Sequence, residues 1–173
     1  MEKVSTFSKY VLLSIFLHFY SVTAQNYADS YGRIIWDQSE NKGYNHNVTL
    51  IGQDNALQLN IKQAKTLNTT DDITIGIKEI AVTNSSNTNS FFGDKTFLIW
   101  GHDNGSITPT TKITKDYGSK TGVSTIVNAT PIARKWKIVN SDSIPNVKLS
   151  IPESMVSVTN SGNEDYVMLI ADD

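Results

Sequence analysis

The sequence predicts an all-β protein, an antiparallel β-sandwich of jelly-roll or immunoglobulin-like kind with about nine or ten strands, and three observations predict it. Leu57, Leu59 and Ile61 alternate with Gln58, Asn60 and Lys62, and Ile73, Ile75 and Ile77 alternate with Thr74, Gly76 and Lys78. That period of two is the pattern of strands with one dry face and one wet face. Thr96-Phe97-Leu98-Ile99-Trp100 is apolar at both parities, which predicts a central strand buried on both faces. Helix formers never cluster at helical spacing, while Gly, Asn, Ser and Thr clusters punctuate the chain.

The elements follow in order. Residues 1–24 read as a signal peptide, with Lys3 and Lys9 at the start, an apolar run over 11–19 that is too short to span a bilayer, and Val22-Thr23-Ala24 as the cleavage site. Cleavage before Gln25 takes 24 of the 173 residues and leaves 149, residues 25–173, enough for one sandwich domain with its own core and no membrane span. Export is therefore expected, to the periplasm, the cell surface or the medium. Residues 31–37 are a strand candidate, 38–47 a polar connector, and 48–51 a strand stopped by Gly52-Gln53-Asp54-Asn55. Asp54-Asn55 reads as a side-chain-to-backbone turn, because a calcium site needs more oxygens than this segment brings together.

Residues 66–72 are a polar run suited to a hairpin between the two alternating strands. Residues 79–82 are expected to rejoin the sheet, and 83–90 to form a solvated loop. Gly93-Asp94 and residues 101–105 turn the chain on either side of the apolar strand, and 107–122 is polar and turn-rich. Further strands are expected at 123–127, at 132–139 with Ile132, Arg134, Trp136 and Ile138 on one face, at 147–151, and at 166–170. The chain stops three residues after the last of these, which reads as a minimal module or a piece of a longer protein.

Composition excludes several functions. There is no cysteine, hence no disulfide, no thiolate nucleophile or metal ligand and no lipid attachment through cysteine. A formal charge of −2 without segregation argues against nucleic acid and against charged membrane surfaces as partners. Lys135 and Lys137 flank Trp136 but lie on the opposite face of an alternating strand, so they form no stacking platform for single-stranded nucleic acid.

After residue 24 only His46 and His102 remain of the histidines. Neither sits in a strand–turn–helix elbow that would serve a Ser–His–Asp triad, His102 reads as a turn residue, and two histidines alone do not make a metal site. Asp71-Asp72 and Asp172-Asp173 are neighbours rather than carboxylates facing across a cleft. No enzyme, metal or cofactor is expected. Loop tyrosines Tyr27, Tyr31, Tyr44 and Tyr117 are the residues suited to stacking on a sugar ring, and the amide-rich Gly43-Tyr44-Asn45-His46-Asn47 makes Tyr44, Asn45 and His46 the candidate ligand-binding residues.

A series of short motifs carries a family resemblance: Ile35-Trp36-Asp37, Tyr44-Asn45, Ile51-Gly52-Gln53-Asp54, Leu59 with Lys62-Gln63-Ala64-Lys65 and Asn68, Ile80-Ala81-Val82-Thr83-Asn84, Asp94-Lys95-Thr96-Phe97-Leu98-Ile99-Trp100-Gly101, and Arg134-Lys135-Trp136-Lys137. In order and spacing the chain resembles an uncharacterised β-domain of secreted and surface proteins of Bacteroidetes, one often found behind a concanavalin-A-like, laminin-G-like domain. The resemblance implies an exported structural or adhesion-related module and carries over no catalytic residue. Other surface proteins or glycans are the implied partners. The alternative is a carbohydrate-binding module that uses the loop tyrosines.

Overall fold

The computed structural model describes residues 26–66, 73–108, 113–116, 126–152, 155 and 168. The expected signal peptide, most of the 66–72 connector and the expected 166–170 strand apart from Met168 lie outside the described residues. Every regular element in the topology of the described residues is a strand: β1 (Tyr27–Ala28), β2 (Ile34–Trp36), β3 (His46–Asp54), β4 (Leu59–Ile61), β5 (Gln63–Lys65), β6 (Thr74–Ile77), β7 (Thr96–His102), β8 (Ile113–Asp116), β9 (Ile126–Ala129), β10 (Trp136–Asn140) and β11 (Val147–Ser150). They pair antiparallel in four sheets, β1-β2, β10-β7-β3-β4, β11-β6-β5 and β8-β9.

Strand β7 is the centre of the four-stranded sheet, and all of its residues are buried. Its two parities enter two cores. Leu98 and Trp100 pack with Ile51 of β3 and with Ile73, Ile75, Ile77 and Phe91, so the three-stranded sheet covers this face as the second layer of a sandwich-like arrangement. Phe97 and Ile99 pack with Ile35 and Trp36, joined by half-buried Tyr44, Val48, Leu50 and Val139. The apolar run at both parities therefore means what it predicted.

Two elements of the layering differ from expectation. Gly52 does not stop a strand; it lies inside β3 beside Phe97, where a Cβ would run into the ring. Leu57 is outside the strand it was assigned to, 55 % exposed on a turn, because Asp54 Oδ1 accepts the N–H groups of Ala56 (3.1 Å) and Leu57 (3.3 Å) and Gln58 takes a positive φ of 53°. The expected hairpin exists, but its first arm is β5: Gln63 pairs with Gly76, Ala64 with Ile75 and Lys65 with Thr74.

Only Lys62 separates β4 from β5, so one stretch of chain leaves the first sheet and enters the second at a corner. Polar groups hold that corner. The Lys62 carbonyl accepts from Ile77 N (2.9 Å), Lys62 N donates to Asn84 Oδ1 (2.6 Å) and Lys62 Nζ to the Asn87 carbonyl (2.8 Å). Gln63 pairs with Ala81 through both ends of its amide, at 2.8 and 2.7 Å. Residues 79–82 thus lie against the sheet through a side chain and not as a strand. Asn87, expected in a solvated loop, is buried and donates to the carbonyls of Ile77 (3.2 Å) and Glu79 (3.1 Å).

Strand β8 falls in a segment read as turns, since Ile113-Thr114-Lys115-Asp116 offers a single strong apolar residue to a pattern search. Of the strand expected at 123–127, residues 126 and 127 are described and lie in β9, and β10 starts at Trp136 because Ala133 N and Arg134 N are both committed to the Ser106 carbonyl.

Trp100→Ala should cost about 3–5 kcal/mol of stability, the usual range for truncating a buried aromatic. Val82→Ala, at a side chain 97 % exposed, should stay within about 0.5 kcal/mol of the parent. Urea unfolding of both variants checks the contrast; equal losses would contradict a core centred on β7.

Candidate functional site

Strands β3 and β7 run antiparallel, so the first residue of β3 meets the last of β7 at one end of the sheet, and the other two ends meet opposite. The first of these ends holds the candidate residues Tyr44, Asn45 and His46. The Asn45 amide is committed to the fold: its Oδ1 accepts from Trp36 Nε1 (2.9 Å) and its Nδ2 donates to the Gln38 carbonyl (2.8 Å). Tyr44 is half-buried against the Ile35–Trp36 core, with its N–H on the Asn41 carbonyl. His46 is exposed and stacks on His102, with ring centroids 5.9 Å apart and planes 16° from parallel.

His102 is not a turn residue. It ends β7, is 2 % exposed and meets Trp136 edge-on at 6.4 Å. His46, His102 and Trp136 are register partners, forming one rung across three strands. A bulge in β3 places Asn47, at φ 51°, with its amide 3.1 Å from His102 Nε2. Asn104 N donates to Nδ1 at 2.9 Å. A backbone N–H can only donate, so Nδ1 is the acceptor and the ring proton sits on Nε2; Asn47 Nδ2 lies at the 3.1 Å contact, and turning that amide over brings Oδ1 to the Nε2 proton. Both ring nitrogens are thereby engaged. No group of three or more His, Asp or Glu among the described residues could hold a metal ion.

An open groove of about 480 Å³ runs beside β2 and β10, floored by Ile34, Ile35, Trp36 and Val139 and edged by Asp37, Glu40 and Lys137. Asp37 at its edge is already engaged, its Oδ1 accepting the N–H (2.7 Å) and the hydroxyl (2.6 Å) of Ser39.

At the opposite end three loops close on one another. Asp29 Oδ1 accepts the N–H groups of Tyr31 and Arg33, both at 2.9 Å, and its Oδ2 takes Arg33 Nε at 3.0 Å. Asp54 Oδ2 accepts from Ser30 N (2.8 Å), tying the first loop to the 54–58 turn. Asp94 Oδ1 accepts from Asn55 N (2.7 Å), tying that turn to the 93–95 loop. Arg33 Nη2 then donates to the Lys95 carbonyl (2.7 Å), which returns to the first loop.

Lys95 holds φ 56°, a left-handed conformation that costs a residue with a Cβ about 1–2 kcal/mol. Its ammonium is bound to Asp94 Oδ2 (2.6 Å) and lies 3.9 Å from the centre of the Tyr31 ring. Tyr31 is nonetheless 82 % exposed. Burial would raise the carboxyls of Asp29 and Asp54, but the N–H groups they accept outweigh it and hold both below the ordinary range. The Lys95 ammonium, followed by Asn55 N–H, lowers Asp94.

A family model described as a domain of unknown function (DUF8202) matches residues 11–173. The chain belongs to that family. No curated protein and no solved structure matches it. In this member the exposed aromatic with the most built surroundings is Tyr31, and the sequence signal for its loop was Asp29-Ser30-Tyr31-Gly32, a turn-forming cluster absorbed into a strand expectation. The contact between Arg33 and Lys95 spans 62 residues and has no local signature.

Two outcomes are expected. Carboxyls whose folded-state pKa is depressed bind protons more readily unfolded, so stability should be level from neutral pH to about 5 and fall as the pH drops through the ordinary aspartate value of about 3.9. Asp54→Asn should lower the melting temperature at neutral pH and flatten that acid slope; thermal melts across pH read both. Long-range ¹H–¹⁵N spectra should show His102 as the Nε2–H tautomer, and an Nδ1–H pattern would refute the Asn104 contact.

Proposed function

We propose that this chain is an exported, non-catalytic interaction module of a bacterial surface or adhesion system, with other extracellular proteins or glycans as its partners. The observation that carries the reading is the three-loop end. There a strained Lys95, an ion pair and three aspartates hold in place a tyrosine that contributes little to any core. Structure spent on fixing an exposed ring favours contact with something outside the chain.

The chemistry of the acids supports the non-catalytic part. Asp29, Asp54, Asp94 and Asp103 each accept backbone N–H groups that close a loop, and each is lowered in pKa rather than raised towards neutrality as a general acid would be. Export is supported by the charge, apolar run and small-residue pattern of residues 1–24 and by the resemblance to Bacteroidetes surface proteins.

Expressed with its own leader in a bacterial host, the chain should be recovered outside the cytoplasm with Gln25 as its first residue, read by mass spectrometry. The purified protein should give no turnover on a broad hydrolase panel. Turnover lost in Asp103→Ala or His102→Ala variants that still fold would overturn the module reading.

A further inference from the structure

We infer that the three-loop end is a carbohydrate-binding site whose platform is the outer face of Tyr31; the inference rests on the module reading and names its ligand class. Lys95 covers one face of the ring at 3.9 Å, and with 82 % of the residue exposed the other face is open to solvent. The ring is held from beneath by Lys95, which is fixed in turn by Asp94 and Arg33. Its backbone is held by Asp29. A ligand that stacks here does not have to order the loop first, which is the cost that weakens binding to flexible loops.

The surroundings select the ligand. Arg33 uses Nε and Nη2 on Asp29 and Lys95 and is 46 % exposed at its side chain, which leaves the two N–H groups of Nη1 as further donors on this loop. Asn55, on the adjoining turn, uses Oδ1 on Gln53 and presents its Nδ2. An open aromatic face on loops that also carry fixed donors suits a pyranose, which has an apolar C–H face bounded by hydroxyls. The exposed apolar side chains on the three loops and at their flank are Tyr31, Leu57 and Phe92. Three side chains match one or two sugar units, and fall far short of the roughly 800 Å² per partner of a stable protein interface.

The site differs from the Tyr44, Asn45 and His46 cluster expected from sequence. The Asn45 amide is held at both ends by Trp36 and Gln38, and Tyr44 packs inward.

The test uses the full chain on a glycan array of bacterial, plant and animal polysaccharides, followed by calorimetric titration with the oligosaccharide that binds best. Tyr31→Ala should weaken binding by about tenfold or more and Tyr31→Trp should retain it, both melting near the parent temperature, while Tyr44→Ala, which melts lower because its ring packs on the Ile35–Trp36 core, should leave binding unchanged at temperatures where it is folded. Lys95→Ala should weaken it by releasing the ring. Binding that survives Tyr31→Ala, or that is lost in Tyr44→Ala alone, overturns the site. An empty array overturns the ligand class, and if the protein then shows Tyr31-dependent binding to a purified surface protein, the module reading stands while the carbohydrate inference falls.

Discussion

The burial of β7 on both faces is the constraint on which the remaining architecture depends. A strand with Phe97 and Ile99 on one side and Leu98 and Trp100 on the other needs a cover for each side. The three-stranded sheet supplies one cover and the β2 segment with its half-buried neighbours the other. Placing β7 in the middle also decides where loops can gather. They collect at its two ends, so the His102 rung and the Tyr31 loops are separated by the length of the same strand.

The short motifs of the sequence acquire physical partners in this arrangement. Lys62-Gln63 and Ala81 to Asn84 stand apart in sequence and are bonded to each other in the fold, each time a side-chain amide to a peptide group. Trp36 of one motif donates to Asn45 of the next. Gly101 follows Trp100 because the Tyr44 carbonyl passes where a Cβ would be. Asp54 and Asp94 close the loops beside the strands they follow and precede. The motifs describe a hydrogen-bond scaffold, with the polar residues at its joints.

Much of the fold was legible in the sequence because it is written in side-chain parity. The alternation around Ile75 and the two-sided run through Ile99 identify half-buried and fully buried strands without further information. What escaped has a common cause, which is that a polar residue does not announce its partner. Asn87 in a Thr-Asn-Ser loop looks solvated until its two carbonyl acceptors are seen. Gly52 looks like a stop until Phe97 is laid beside it. His102 looks like part of a turn because Asp103-Asn104-Gly105 follows it, and the bulge that brings Asn47 to its ring depends on pairing with a strand some fifty residues away. At the candidate site the same limit applies: the tyrosines could be counted in advance, but which ring is exposed follows from long-range bonds such as that of Arg33 to Lys95.

The corner at Lys62 ties the two layers together in a way that neither sheet shows by itself. Residues on either side of it belong to different sheets, with Ile61 opposite Gly52 in one and Gln63 opposite Gly76 in the other. A slip of one position along this stretch would therefore misalign both ladders at once, turning inward-facing side chains outward in each layer. The sheets consequently share a single register, set at one residue and locked by the amides of Gln63 and Asn84 and the carbonyl of Asn87, so neither layer can shift its alignment while the other keeps its own.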